Sequence, residues 1–292
     1  MQSAYYKYFA ALLLFGSNGI VASNIKLPSY EIVLLRTLLG SLFLIAVFIF
    51  SGQKFTFYHN KRTCLYLCIS ATAMGASWML LYEAYQQVGV SIASLAYYCG
   101  PVIVMVLSPF LFREALTWPK IAGFLTVLAG MCLVNLQALD EGKTVWGLFC
   151  GSMSAFMYAL MVIANKKAQP ESGLENSLLQ LVIGSFIVAA FVSMQGNIAL
   201  SLATIDWLPV LLLGLLNTGV GCYLYFSSIT ALPVQTVAIC GYLEPLSAVI
   251  FSVIFLQELL LPLQLLGALL ILGGAIFGEC CKPKKQQLLQ SK

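Results

Sequence analysis

Three charged residues interrupt stretches that are otherwise apolar: Arg36, Glu83 and Glu244. A charge at the centre of a bilayer costs about 2.5 to 3.5 kcal/mol on insertion scales, so each needs a partner or a task. Glu244 lies near the middle of the apolar run 234–256 and is followed by Pro245. A proline has no N–H, so the helix ladder is broken and a carbonyl near Gly241 is left free. Pro101 interrupts the run 90–112 in the same way. Glu244 is therefore the candidate central acid, holding a substrate ammonium or carrying a coupling proton. The plain alternative is a protonated glutamate that hydrogen-bonds a neighbouring helix. Arg36 and Glu83 fall at similar depth near one face, as an ion pair or polar cluster with a structural or gating role. The alternative for that pair is that Arg36 snorkels and Glu83 meets water.

Aromatic residues accompany these charges. Trp78, Tyr82 and Tyr85 follow helical spacing and share a face. Tyr97 and Tyr98 lie one turn before Pro101, with Tyr158, Tyr223 and Tyr225 in later runs. Such rings offer an apolar face, a hydrogen-bonding edge and a surface for a cation. With a midplane carboxylate they suit an amine, an amino acid or an organic cation. Asn18 and Asn217 are polar positions within runs, and Asn18 is read as a cavity residue. Tyr5, Tyr6 and Tyr8 read as an interfacial belt.

The elements that position these groups are membrane helices. Of 292 residues, 60% are hydrophobic and 9% are charged, with a mean hydropathy of +0.92. Soluble domains carry about 25% charged residues, so a soluble enzyme, a nucleic-acid binder and a secreted disulfide scaffold are excluded. Ten candidate spans follow: 4–23, 31–51, 63–87, 90–112, 118–137, 145–165, 176–195, 207–230, 234–256 and 260–280. The first span is read as a retained helix rather than a cleaved signal. With a cytoplasmic N-terminus, twelve of the fifteen Lys and Arg residues fall on the cytoplasmic side. Lys26 and Lys143 fall on the far side and Arg36 within a span. That split supports ten crossings, both termini in the cytoplasm, and an inner (plasma) membrane location.

The chain also contains itself twice. A shift of 144 residues pairs Gly75 with Gly219, Pro101 with Pro245, Glu114 with Glu258, Gly123 with Gly267 and Gly130 with Gly274. It also pairs Gly40 with Gly184, and a shift of 141 pairs Phe15 with Phe156. Five spans per half turn the second half over, giving residues 1–143 and 144–281 as inverted repeats and 282–292 as a basic cytoplasmic tail. Inverted repeats are a device of secondary transporters, with the site near the midplane between the halves. Glu114 and Glu258 read as caps that fix loops at opposite membrane faces. Gly16 and Gly19, Gly123 and Gly130, Gly267, and the pair Gly273–Gly274 read as points of close helix approach.

These residues carry a resemblance. Tyr97-Tyr98-Cys99-Gly100-Pro101 through Phe112-Arg113-Glu114, and the copy Tyr242-Leu243-Glu244-Pro245 through Gln257-Glu258, resemble spans of the drug/metabolite transporter superfamily of EamA type. Phe15-Gly16-Ser17-Asn18 is similar to that family's first-span signature, with Phe15 where tryptophan is common. The resemblance implies a ten-helix, all-α bundle around a cavity lined mainly by spans 1, 3, 4, 6, 8 and 9. Its members export or import amino acids, amines, nucleosides and other metabolites. The expected partners are a small-molecule substrate and the lipid bilayer, with a proton as candidate coupling ion and no nucleic acid. A monomer can enclose the whole pathway, and a bacterial source is expected.

No G-x-x-x-x-G-K-[ST] phosphate loop is present, so no ATPase is expected. His59 is the single histidine, the nine cysteines show no C-x-x-C pair, and Cys280-Cys281 is a candidate acylation site. No cofactor, metal or catalytic residue is expected, and the chain does not read as an enzyme. The substrate-binding expectation falls on Glu244, Tyr97, Tyr98, Trp78, Tyr82, Asn18, Tyr158 and Gly241. Coupling or gating falls on Glu244, Glu83, Arg36, Pro101 and Pro245. The reading is a secondary active exporter of small polar or cationic metabolites by alternating access. The alternatives are an uptake permease or exchanger, and a membrane receptor that binds without moving its ligand.

Overall fold

The computed structural model describes residues 2–135, 145–194, 206–257 and 262–280, and among these every regular element is a helix. Apolar side chains such as Phe50, Phe110 and Phe186 project from the outside of the bundle, as they must where the solvent is lipid. Among the described residues, six helical stretches are long and apolar enough to cross a membrane, and shorter apolar helices lie between them.

The first span is broken. Helix α1 (Gln2–Gly16) and α2 (Asn18–Ser23) meet at Ser17. Helix α3 (Ser29–Phe50) is continuous. Helix α4 runs from Lys61 to Tyr97, capped at its start by the Asn60 side chain, which accepts from Arg62 N–H. The sequence expects a break near residue 89, and helical bonding persists through it. The chain nevertheless reverses there. A Cβ on Gly151 would lie beside Ala84, Ala93 and Ala96 at once, and the Ser94 hydroxyl donates to Tyr85 Oη at 3.4 Å. In a straight helix nine residues span about 13.5 Å, so spans three and four are joined by a bent helical turn.

Helix α5 (Gly100–Phe112) ends at Arg113, and α6 spans Trp118–Asn135. The second half begins with α7 (Val145–Ala168) and α8 (Gly173–Met194). Span eight is composite: α9 (Trp207–Leu211), a π-helical stretch Leu212–Val220, and α10 (Gly221–Ile229). Span nine breaks at Tyr242 into α11 (Val234–Gly241) and α12 (Leu243–Leu256), and α13 covers Pro262–Cys280. Gly241 ends α11, at the carbonyl that Pro245 cannot bond. In the first half the break falls at Tyr98 and Cys99, likewise just before Pro101.

Equivalent residues pack reciprocally. A Cβ on Gly123 would meet the Gly274 carbonyl at 2.5 Å, and one on Gly130 the Gly267 carbonyl at 2.6 Å. Since 123 pairs with 267 and 130 with 274, α6 and α13 cross as each other's offset copies. Arg113 and Gln257, also 144 apart in sequence, end α5 and α12 in the same left-handed backbone (φ 56° and 54°). Gly16 likewise marks a close approach, to Ser247 of α12, whereas Gly19 and Gly273 have nothing within 4 Å and pack against no helix.

Carboxylates tie loops to the helices of the other half. Val234 N–H and Gln235 N–H donate to Glu114 at 2.8 and 3.1 Å, which caps α11. Glu258 lies outside the described residues. Glu175 accepts from Thr56 N–H, Thr56 Oγ1–H and Phe57 N–H at 2.6, 2.6 and 3.0 Å. Removing a cap of this kind costs about 1–2 kcal/mol. Glu114→Ala is therefore expected to lower the melting temperature of the purified protein, with KM for any substrate unchanged. An altered KM would place Glu114 in the pathway.

Candidate functional site

The helix breaks surround a cavity of about 600 Å³. It extends from Glu244 and Ala248 on α12 to Leu27 and Ser29 at the connection between α2 and α3. Span four contributes Ser94, Tyr97 and Tyr98, α7 contributes Tyr158 and Met161, and α10 contributes Cys222, Tyr225 and Phe226. Span three adds Met74, Ser77, Trp78, Leu81, Tyr82 and Tyr85, and the first-span break adds Phe15, Gly16 and Asn18. Span two also takes part, through Ile32, Val33 and Arg36, which the family resemblance did not imply.

Glu244 stands in the first turn of α12, where the N-terminal end of the helix favours a negative charge. Its carboxylate has no hydrogen-bond or ion-pair partner among the described residues, so it is free to face a ligand. Tyrosines close the cavity beneath it. Tyr158 Oη and Tyr225 Oη are 3.3 Å apart, and the Tyr97 and Tyr158 rings meet edge-on at 5.4 Å. The Tyr8 ring lies 5.6 Å from that of Tyr225, and Tyr8 donates to the Val237 carbonyl at 2.8 Å. Tyr8 is 0% exposed, against 73% for Tyr6. The belt reading thus fails for Tyr8: its hydroxyl is buried with a backbone acceptor, and its ring packs behind Tyr225 without lining the cavity.

Arg36 and Glu83 are not an ion pair. Arg36 Nε donates to Thr218 Oγ1 at 3.0 Å, and the guanidinium lies 5.0 Å from the Trp78 ring centre. Glu83 accepts instead from Tyr30, from Gln87 at 3.1 Å and from Trp146 at 3.2 Å, and it does not line the cavity. It fastens α3 and α7 to span three. The reason is a neighbour that spacing does not reveal. The π-helical stretch, in which Thr218 Oγ1 also bonds the Leu213 carbonyl five residues back, presents Thr218 to α3.

Of the remaining expectations, Tyr97, Tyr98, Trp78, Tyr82, Asn18 and Tyr158 line the cavity. Gly241 lies just beyond it: a Cβ there would sit 3.5 Å from Tyr8 Oη and 3.8 Å from Tyr158 Oη. Pro101 and Pro245 are buried and shape the breaks without reaching the cavity. Asn217 braces the first-span break, donating to the Leu14 carbonyl, Ser17 Oγ and Asn18 Oδ1 at 2.9, 2.8 and 3.0 Å. Ser77 and Ser94 went unremarked in the sequence because serine in a greasy run carries no signal beyond tolerance.

The model of the EamA-like transporter family matches this chain twice, at residues 2–136 and 145–277. The chain belongs to the EamA-like transporter family. It is a membrane transporter and a multi-pass protein of the inner membrane, similar throughout to bacterial proteins. The uncharacterized transporter YxxF of Bacillus subtilis is 26% identical, over 94% of this chain and 88% of that protein. The threonine/homoserine exporter RhtA of Escherichia coli is 27% identical, over 88% and 83%. A biotin transporter of Salmonella typhimurium is 24% identical, over 84% and 82%. A crystal structure superposes with a TM-score of 0.81 at 18% identity, covering 95% of this chain and 98% of that one, which shows that the two share the all-helical fold.

Proposed function

We propose that this chain is a secondary active exporter of small polar or cationic metabolites, amino acids or amines, working by alternating access with Glu244 as its central acid. The observation that carries the reading is the unpartnered Glu244 carboxylate in a tyrosine-walled cavity at two matched helix breaks. The proposed topology is ten crossings with both termini cytoplasmic, in two inverted repeats. The cavity then opens to the outside, since it reaches the α2–α3 connection. The threonine/homoserine exporter among the relatives supports export of an amino acid, and a proton on Glu244 is the proposed coupling species. The test is flux in proteoliposomes with and without an imposed pH gradient, over amino acids, polyamines and quaternary amines. Saturable, gradient-sensitive flux supports the reading. Binding with no flux of any panel member overturns it in favour of a receptor.

Alternating access by repeat exchange makes a specific prediction. Tyr242 donates its hydroxyl to the Tyr98 carbonyl at 2.6 Å, and the two residues are 144 apart, hence repeat equivalents. In the opposite state the roles exchange, and Tyr98 donates to the Tyr242 carbonyl. Tyr242→Phe removes a bond of about 1 kcal/mol from the state described here only. It is expected to shift the population toward the inward-open state, and Tyr98→Phe toward the outward-open one. Accessibility of a cysteine introduced at Ser23 to an impermeant thiol reagent measures the shift. Equal effects of both variants would refute the exchange.

A further inference from the structure

Two opposite charges, Arg36 and Glu244, line the cavity near enough to feel each other's field, and neither forms an ion pair among the described residues. Arg36 is 7% exposed, so its guanidinium is held out of bulk water. Its Nε is taken by Thr218 and one face rests on Trp78, while its two terminal nitrogens have no hydrogen-bond partner among the described residues. They form the edge of the planar fork that grips a carboxylate with two parallel bonds. Glu244 across the cavity is likewise unpartnered, and the two do not approach within ion-pair distance. Glu83, the other carboxylate expected near Arg36, is committed to Tyr30, Gln87 and Trp146.

An unpaired charge in a low-dielectric site is costly, whereas a separated pair of opposite sign is balanced as a set. A cation alone would answer Glu244 and leave the guanidinium bare. An anion alone would do the reverse. A molecule with a positive and a negative end answers both. We propose that the site binds a zwitterion, with the substrate's ammonium on the Glu244 carboxylate beside Tyr97 and Tyr98, and its carboxylate on the Arg36 fork beside Trp78. The aromatic walls suit both ends: Tyr97 and Tyr98 line the cavity with rings that can hold a cation, and Trp78 lies against the guanidinium. At about 600 Å³ the cavity leaves room for a side chain. This narrows the proposed function from polar or cationic metabolites to amino acids with both termini free, and it rests on the assignment of this cavity as the transport site.

The experiment is equilibrium binding to the full chain in nanodiscs, read by ligand-induced thermal stabilisation, so that it does not depend on flux. The probes are threonine, leucine, phenylalanine and lysine, each beside its amide, which keeps only the cation, and its N-acetyl form, which keeps only the anion. At least one free amino acid is expected to bind about tenfold or more tightly than both of its derivatives, the penalty of leaving one buried charge unanswered. Arg36→Gln is expected to erase the preference over the amide, and Glu244→Gln the preference over the N-acetyl form. Arg36→Lys keeps the charge without the fork and is expected to retain part of the first preference, which covers the case where Arg36→Gln fails to fold. An amide or N-acetyl form binding as tightly as its parent overturns the proposal, as does an absence of binding by every probe. Flux of a polyamine or of an organic anion in the same preparation would then leave the transport reading standing. Zwitterion binding without flux would instead preserve the site and overturn transport.

Discussion

Glu244→Gln is expected to reduce substrate flux in proteoliposomes about 30-fold or more and to make the remainder insensitive to an imposed pH gradient. The magnitude follows from removing one partner of a desolvated charge contact, which costs about 2–5 kcal/mol, and about 1.4 kcal/mol is tenfold. The loss of pH response follows from chemistry: glutamine keeps the shape and hydrogen bonding of the side chain but has no proton to exchange. Because no described residue bonds the Glu244 carboxylate, the substitution should leave the fold intact. Unchanged melting temperature with strongly reduced, gradient-insensitive flux is therefore the expected combination. Unchanged flux and an unchanged pH profile would remove Glu244 from the mechanism. A variant that fails to fold would show a structural role that the cavity geometry does not suggest.

The second large effect concerns stability. Gly123→Leu is expected to eliminate the monodisperse folded species in detergent size-exclusion chromatography, whereas Gly273→Leu leaves it in place. A Cβ at Gly123 would lie 2.5 Å from the Gly274 carbonyl and 2.7 Å from Gly278 Cα, and all of these are backbone atoms that cannot rotate away. Separating α6 from α13 to admit a side chain would open the main contact between those two helices, and overpacking by a single methylene group already costs about 1–3 kcal/mol. Gly273 is exposed and has nothing within 4 Å, so a leucine there meets lipid. Equal behaviour of the two variants would show that the crossing is looser than described.

The contrast between Gly273 and Gly274 shows how far the residues alone could be read. Composition, charge placement and the offset of 144 were legible because each is a property of the chain order itself. A lipid-facing helix must be apolar, and a repeat leaves its period in the sequence. The polar set of the cavity was legible for a related reason: Glu244, Asn18 and the tyrosines stand out against an apolar background, and Pro101 and Pro245 mark the breaks beside them. What the pattern could not show is which neighbour each group meets. Glycine is common throughout membrane helices, and only the crossing of α6 with α13 separates the glycine that packs from the one beside it that does not. Tyr8 and Tyr6 differ by two positions, and only the packing of α1 on α10, with the Tyr8 hydroxyl bonded to the Val237 carbonyl of α11, buries one and leaves the other exposed. Arg36 and Glu83 share a depth and opposite charges, which invites a pairing. The tertiary structure decides otherwise, because a π-helical stretch brings Thr218 within 3.0 Å of Arg36 while Tyr30, Gln87 and Trp146 claim Glu83. Helix identity and depth are one-dimensional quantities that hydropathy and period encode. The partners of a charge depend on helix rotation, on local changes of helical pitch and on side chains distant in sequence, and these are fixed only when the bundle closes.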